Sequence, residues 1–80
     1  MSEVIRYTDT DMIKKIMIDK GYSTISSLAA AAGIDRNVLG KVLSGKIQPS
    51  STVMYKLVDT LGISAAEAGV IFFAINLRTA

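Results

Sequence analysis

TISSLAAAAGIDRNVLGKVLSG, running from Thr24 to Gly45, reads as two short helices joined by a tight turn. Thr24 is placed to cap the first helix, with Leu28 and Ala32 on one face and Gly33 as the stop. Four alanines at positions 29–32 leave little side-chain bulk, which favours the close approach of another helix. Ile34 then packs inward, and Asp35 is a strong cap for a second helix whose buried stripe is Leu39, Val42 and Leu43. Arg36, Asn37, Gly40, Lys41 and Ser44 fall on the other side of that helix. Glycine in a helix interior costs about 1 kcal/mol relative to alanine. One physical use for Gly40 is the close approach of another backbone or of a ligand.

The same punctuation continues outward from this segment. Upstream, Thr8-Asp9-Thr10-Asp11 supplies caps and first-turn acids for a helix running to about Lys20, with Ile13, Ile16 and Met17 at helical spacing and Gly21 at its end. Downstream, Lys46 to Pro49 is a loop, and Pro49 marks the next boundary. Ser50 or Ser51 caps a fourth helix that turns Val53, Met54, Leu57, Val58 and Leu61 inward and stops at Gly62. Ser64-Ala65-Ala66-Glu67 is a capping box that opens a fifth. No strand alternation of any length appears before residue 70. The expected architecture is therefore all-α: one compact five-helix domain over residues 1–80, without internal repeat or linker.

Composition narrows the chemistry. Eighty residues hold a single small core. The chain has neither Cys nor His, which removes disulfides, thiolate metal sites and the commonest general base. The acids sit mainly at helix caps and ends, so no nucleophile–base pair can be assembled, and the reading is a non-enzymatic protein without metal, cofactor or small-molecule ligand. The first twenty residues contain Glu3, Asp9, Asp11 and Asp19 and do not read as a signal peptide. The longest apolar run, Ala68 to Ile75, is far too short for a membrane span, so the expected location is the bacterial cytosol, at the nucleoid. The formal net charge is only +2. Its distribution is uneven: residues 24–58 carry Arg36, Lys41, Lys46 and Lys56 against Asp35 alone, while the flanking segments are neutral or slightly acidic. The positive charge thus lies on the central helices.

Two capped helices across a tight turn are the layout of a helix-turn-helix, whose second helix can enter the DNA major groove. From Thr24 to about Ala68 the spacing resembles the domain of phage Cro proteins and repressors, the lambda-repressor-like family. The matching residues are Leu28-Ala29, Gly33-Ile34, the helix Arg36 to Ser44, Gly45-Lys46, Pro49-Ser50, Leu57, and Leu61-Gly62-Ile63-Ser64. The resemblance implies a small DNA-binding transcription regulator, acting as a dimer on a near-palindromic operator in a lysis–lysogeny type of switch. It departs from the family at two positions. Ile25 stands where the family often has a glutamine that touches DNA, and is read as core or partner-facing. Leu43 stands where the family often has an acid paired with an arginine of helix one; here an apolar contact with Met17 or Ile18 replaces the ion pair.

In such a motif the first residues of the second helix meet base edges. Arg36 suits guanine O6/N7, Asn37 suits adenine N6/N7, and Lys41 follows one turn on. Val38 reads either as a contact to a thymine methyl or as partly buried. Phosphates call for hydroxyls and cations near helix N-termini, supplied by Thr24 and Ser26, by Ser44 and Lys46, and by Ser50 and Ser51. Lys14, Lys15 and Lys56 read as solvated.

The segment 68–80, AGVIFFAINLRTA, is more apolar than a lone last helix needs to be. Either it closes the small core or it forms a dimer or partner interface through Val70, Phe72, Phe73 and Ile75; residues 70–77 suit helix or strand. Two functions follow. One is a Cro-like repressor that binds operator DNA as a homodimer. The other is an antirepressor that binds a partner repressor protein through its helix-turn-helix surface or its tail.

Overall fold

A computed structural model describes residues 2–79, with side chains described for residues 8–73. In chain order its elements are β1 (Ser2–Tyr7), α1 (Thr10–Asp19), α2 (Ile25–Ala32), α3 (Arg36–Leu43), α4 (Ser51–Leu61), α5 (Ala65–Phe72) and β2 (Ala74–Thr79). The five helices expected from the punctuation are all present.

Each helix begins where a short polar side chain can take the place of the missing backbone acceptor. Asp9, Thr24, Asp35, Ser50 and Ser64 are the five N-caps. The Ser64–Glu67 box forms as read: Ser64 Oγ accepts from the Glu67 amide at 3.1 Å, and Glu67 Oε1 accepts from the Ser64 amide at 3.4 Å. At Thr24 the partner is Ser27 rather than an acid. Thr24 Oγ1 accepts from the Ser27 amide, and Ser27 Oγ donates to the Thr24 carbonyl at 2.7 Å. The turn of the motif rests on Gly33, whose φ of 69° lies in the left-handed region that a β-carbon disfavours. Beyond it the Ile34 amide donates back to the Ala29 carbonyl at 2.9 Å, closing α2 and launching α3 at an angle to it.

The core gathers one stripe from every helix. Ile13 and Met17 of α1, Leu28 and Ala29 of α2, Leu39 and Leu43 of α3, Val53, Leu57 and Leu61 of α4, and Ile71 and Phe72 of α5 are buried together. Met17 and Leu43 share this cluster, so apolar packing stands at the position where an ion pair might have been, whereas Ile18 is exposed. Val42 is also fully buried. Thr8, the one buried polar residue among those whose side chains are described, donates its hydroxyl proton to Gln48 Oε1 at 2.7 Å, tying the entry of α1 to the loop before α4.

The chain ends depart from the helical expectation. Residues before 70 do contain a strand, β1, which pairs antiparallel with β2 from Ser2↔Thr79 to Tyr7↔Ala74. The ribbon is an addition to the five-helix body, which it touches mainly through α5. The open choice of helix or strand over 70–77 resolves as both: α5 runs to Phe72, Phe73 turns, and β2 begins at Ala74. An amide–carbonyl bond of 2.7 Å from Asp9 to Ile71 draws the start of α1 against the end of α5, where the two strands leave the body.

One expectation for the tail is corrected here. Phe72 is 3 % exposed and belongs to the core, so it is closed to any partner in this arrangement. The last turn of α5 places it beside Ile71 on the inward face, and the apolar density of the segment serves core closure at these two positions. Val70 and Phe73, on the outer side, are 60 % and 49 % exposed. Ile75 lies on β2 opposite Arg6, and its side chain falls outside the described ones.

Candidate nucleic-acid interface

Recognition begins with how α3 is held. Asp35 Oδ1 accepts from the amides of Asn37 at 2.9 Å and Val38 at 3.1 Å, which fixes the first turn of α3. Leu39, Val42 and Leu43 anchor its inner face in the core. Val38 is half-buried and packs against that core, as its partly buried alternative has it. Arg36, Asn37 and Lys41 are then left on the exposed side, at the spacing of one helical turn.

Replacing Asp35 with alanine is expected to cost about 1 kcal/mol, the usual price of a lost N-cap. In a domain of this size that corresponds to a fall in melting temperature of roughly 4–8 °C. Thermal unfolding followed by circular dichroism checks it. Asp35→Ser should recover most of the loss because a hydroxyl can accept the same amides.

The three candidate reading residues share one surface cleft of about 420 Å³. Arg36, Asn37 and Lys41 line it together with Ser44 and Lys46 at the end of α3, Gly40 in its middle, and Ile25 from the start of α2. Five of these seven positions carry polar or cationic side chains, so the cleft suits a polyanion with hydrogen-bonding edges. Of the two readings of Ile25, the core one is overturned: at 37 % exposure it lines the α3 face instead. Gly40 has no close neighbour, because a β-carbon built there meets nothing within 4 Å. Among the described residues nothing occupies the space at Gly40.

The candidate phosphate contacts do not gather at this cleft: only Ser44 and Lys46 line it, and Ser51 lines a groove between α4 and α5. Thr24, Ser26, Ser50 and Ser51 are exposed at the starts of α2 and α4. Thr24 and Ser50 are already engaged as caps, Ser50 Oγ accepting from the Val53 amide at 3.3 Å. Ser44 Oγ donates to the Lys41 carbonyl at 3.1 Å. Lys46 lines the cleft, whereas Thr24, Ser26, Ser50 and Ser51 lie outside its lining. Lys56, read as solvated, instead donates from Nζ to the Gly33 carbonyl at 2.9 Å. It braces the C-terminal end of α2, where the helix dipole is negative, across the turn of the motif.

A second concavity escaped the sequence reading. Between α4 and α5 lies a groove of about 400 Å³ lined mainly by Met54, Tyr55, Val58, Ala68, Gly69 and Phe73. Tyr55 is 76 % exposed on its edge. The signal lies in Met54, Tyr55 and Val58 on one side of α4, but helical spacing alone turns Met54 and Val58 inward, whereas both are only half-buried at the edge of the core.

A capped α2, a left-handed glycine turn and an α3 with a polar outer face define a helix-turn-helix protein. A family model described as helix-turn-helix matches residues 13–67, more than half the chain. The chain belongs to this family, of broadly Cro/C1 type, and is a DNA-binding transcriptional regulator. The match runs from α1 into α5 and leaves out the terminal ribbon. No curated protein and no solved structure matches the chain. Among the described residues no helix is long and apolar enough to cross a membrane.

Proposed function

We propose that the chain is a Cro-like repressor of phage type that binds a near-palindromic operator as a homodimer, with Arg36, Asn37 and Lys41 reading base edges. The observation that carries this reading is their convergence, with Lys46, on one exposed cleft along α3. Arg and Asn there match the two bidentate base patterns of the major groove, and Lys41 and Lys46 add positive charge along the backbone path. The homodimer draws support from the exposed Val70 and Phe73, the second of which lines the apolar α4–α5 groove.

That groove also favours a second reading, in which the same surface takes a partner repressor and the chain acts as an antirepressor. Mass measured by size exclusion with light scattering, for the protein alone and with a duplex from its own upstream DNA, separates the two. The repressor reading expects a dimer that shifts onto one duplex at moderate salt. A monomer that binds no duplex until another repressor is added would replace it with the second.

A further inference from the structure

Two residues of the α3 cleft have no structural reason to be what they are. Gly40 sits inside a helix with an ordinary helical φ, so its backbone does not demand glycine. Its surroundings do not demand glycine either, since a β-carbon there would meet nothing within 4 Å. Glycine at this position therefore weakens α3 with no compensating contact inside the chain. Among the described residues, Ile25 is the only apolar side chain lining a cleft otherwise formed by Arg36, Asn37, Lys41, Ser44, Lys46 and the bare Gly40. It is a β-branched residue in the first turn of a helix, exposed rather than in the core, and it caps nothing.

Both peculiarities are explained by one ligand feature. The major-groove edges of base pairs offer donors and acceptors, and a single apolar group, the C5-methyl of thymine. A polar, cationic cleft with one apolar side chain and one missing side chain complements that pattern. We propose that Ile25 and Gly40 form the seat of a thymine methyl: Ile25 supplies the apolar contact, and the absent side chain at Gly40 lets the base edge approach the α3 backbone. This rests on the DNA-reading assignment above and adds to it a base preference, a thymine in each half-site at the position facing the middle of α3.

The test uses a duplex selected from a randomised pool by the wild-type protein, with binding followed by fluorescence anisotropy at fixed moderate salt. Each thymine is replaced in turn by deoxyuridine, which removes only the methyl group and leaves the protein untouched. At one thymine per half-site the loss should be about four-fold, the size expected for returning one methyl group's surface to water. The Ile25→Ala variant should bind more weakly and be indifferent to the same deoxyuridine. Gly40→Ala should melt no lower than wild type yet bind the selected duplex more weakly, and Gly40→Leu more weakly still. If no thymine shows methyl dependence, or if Ile25→Ala keeps the full dependence, the seat is wrong while DNA reading stands. If the wild type enriches no sequence from the pool, the seat and the reading fall together.

Discussion

The Arg36→Ala, Asn37→Ala double variant is expected to fold normally and to lose its preference for operator over random duplex. Both residues are exposed on α3, and neither side chain contributes to the core or to the Asp35 cap, which uses backbone amides. A well-formed bidentate base contact gives roughly 1–3 kcal/mol of discrimination, so losing two removes at least about thirty-fold. Binding to random DNA should fall less. Its salt dependence should become shallower by roughly one unit of logarithmic slope, because one of the cations leaves the interface. Affinity for both duplexes at two salt concentrations distinguishes these effects. A double variant that still discriminates as well as wild type would show that base readout lies elsewhere.

Leu57→Ala carries the largest expected loss of stability. Leu57 is fully buried in α4, in the cluster that joins all five helices. Truncating a buried leucine costs about 2–5 kcal/mol through lost transfer energy and the cavity left behind. The whole domain is expected to have only about 4–12 kcal/mol at its disposal, taking 80 residues at the usual stability per residue. The variant should unfold at a much lower urea concentration, with part of the population unfolded without any denaturant. Tyr55→Ala, two positions away on the exposed side of the same helix, should leave the urea midpoint nearly unchanged. Equal losses from the two variants would mean that α4 is buried on its other face.

What could be read in advance depended on how local the cause was. Caps and stops are decided within a few residues, so Thr24, Gly33, Asp35, Gly62 and the Ser64–Glu67 box marked the helices without knowledge of the fold. The reading face of α3 was legible for the same reason, because helical periodicity alone separates Arg36, Asn37 and Lys41 from Leu39, Val42 and Leu43. Features set by distant partners were not. SEVIRY contains the strand-favouring Val4, Ile5 and Tyr7 but not the alternation that marks a strand: Val4 and Ile5 are adjacent, and the pairing partner lies at the other end of the sequence. Lys56 looks like any surface lysine until the fold brings the Gly33 carbonyl within 2.9 Å. In the tail, a helix apolar on most sides gave no indication that Phe72 would turn inward while Val70 and Phe73 would stay out.

The ribbon of β1 and β2 gives this small domain two kinetic layers. Helical contacts close short loops and form quickly, whereas pairing Tyr7 with Ala74 must bring together segments nearly a chain length apart. Much of that closure is prepared once the helices have packed, because the Asp9–Ile71 bond already sets the two strand roots side by side. The ribbon is thus expected to assemble last and to open first, a zipper that fastens onto a finished body. A two-stranded sheet is marginal on its own in water. Its opening is therefore expected as a separate, low-energy event that leaves α3 in place, which amide exchange would show as early loss of protection at Val4 and Leu77 alone among the elements.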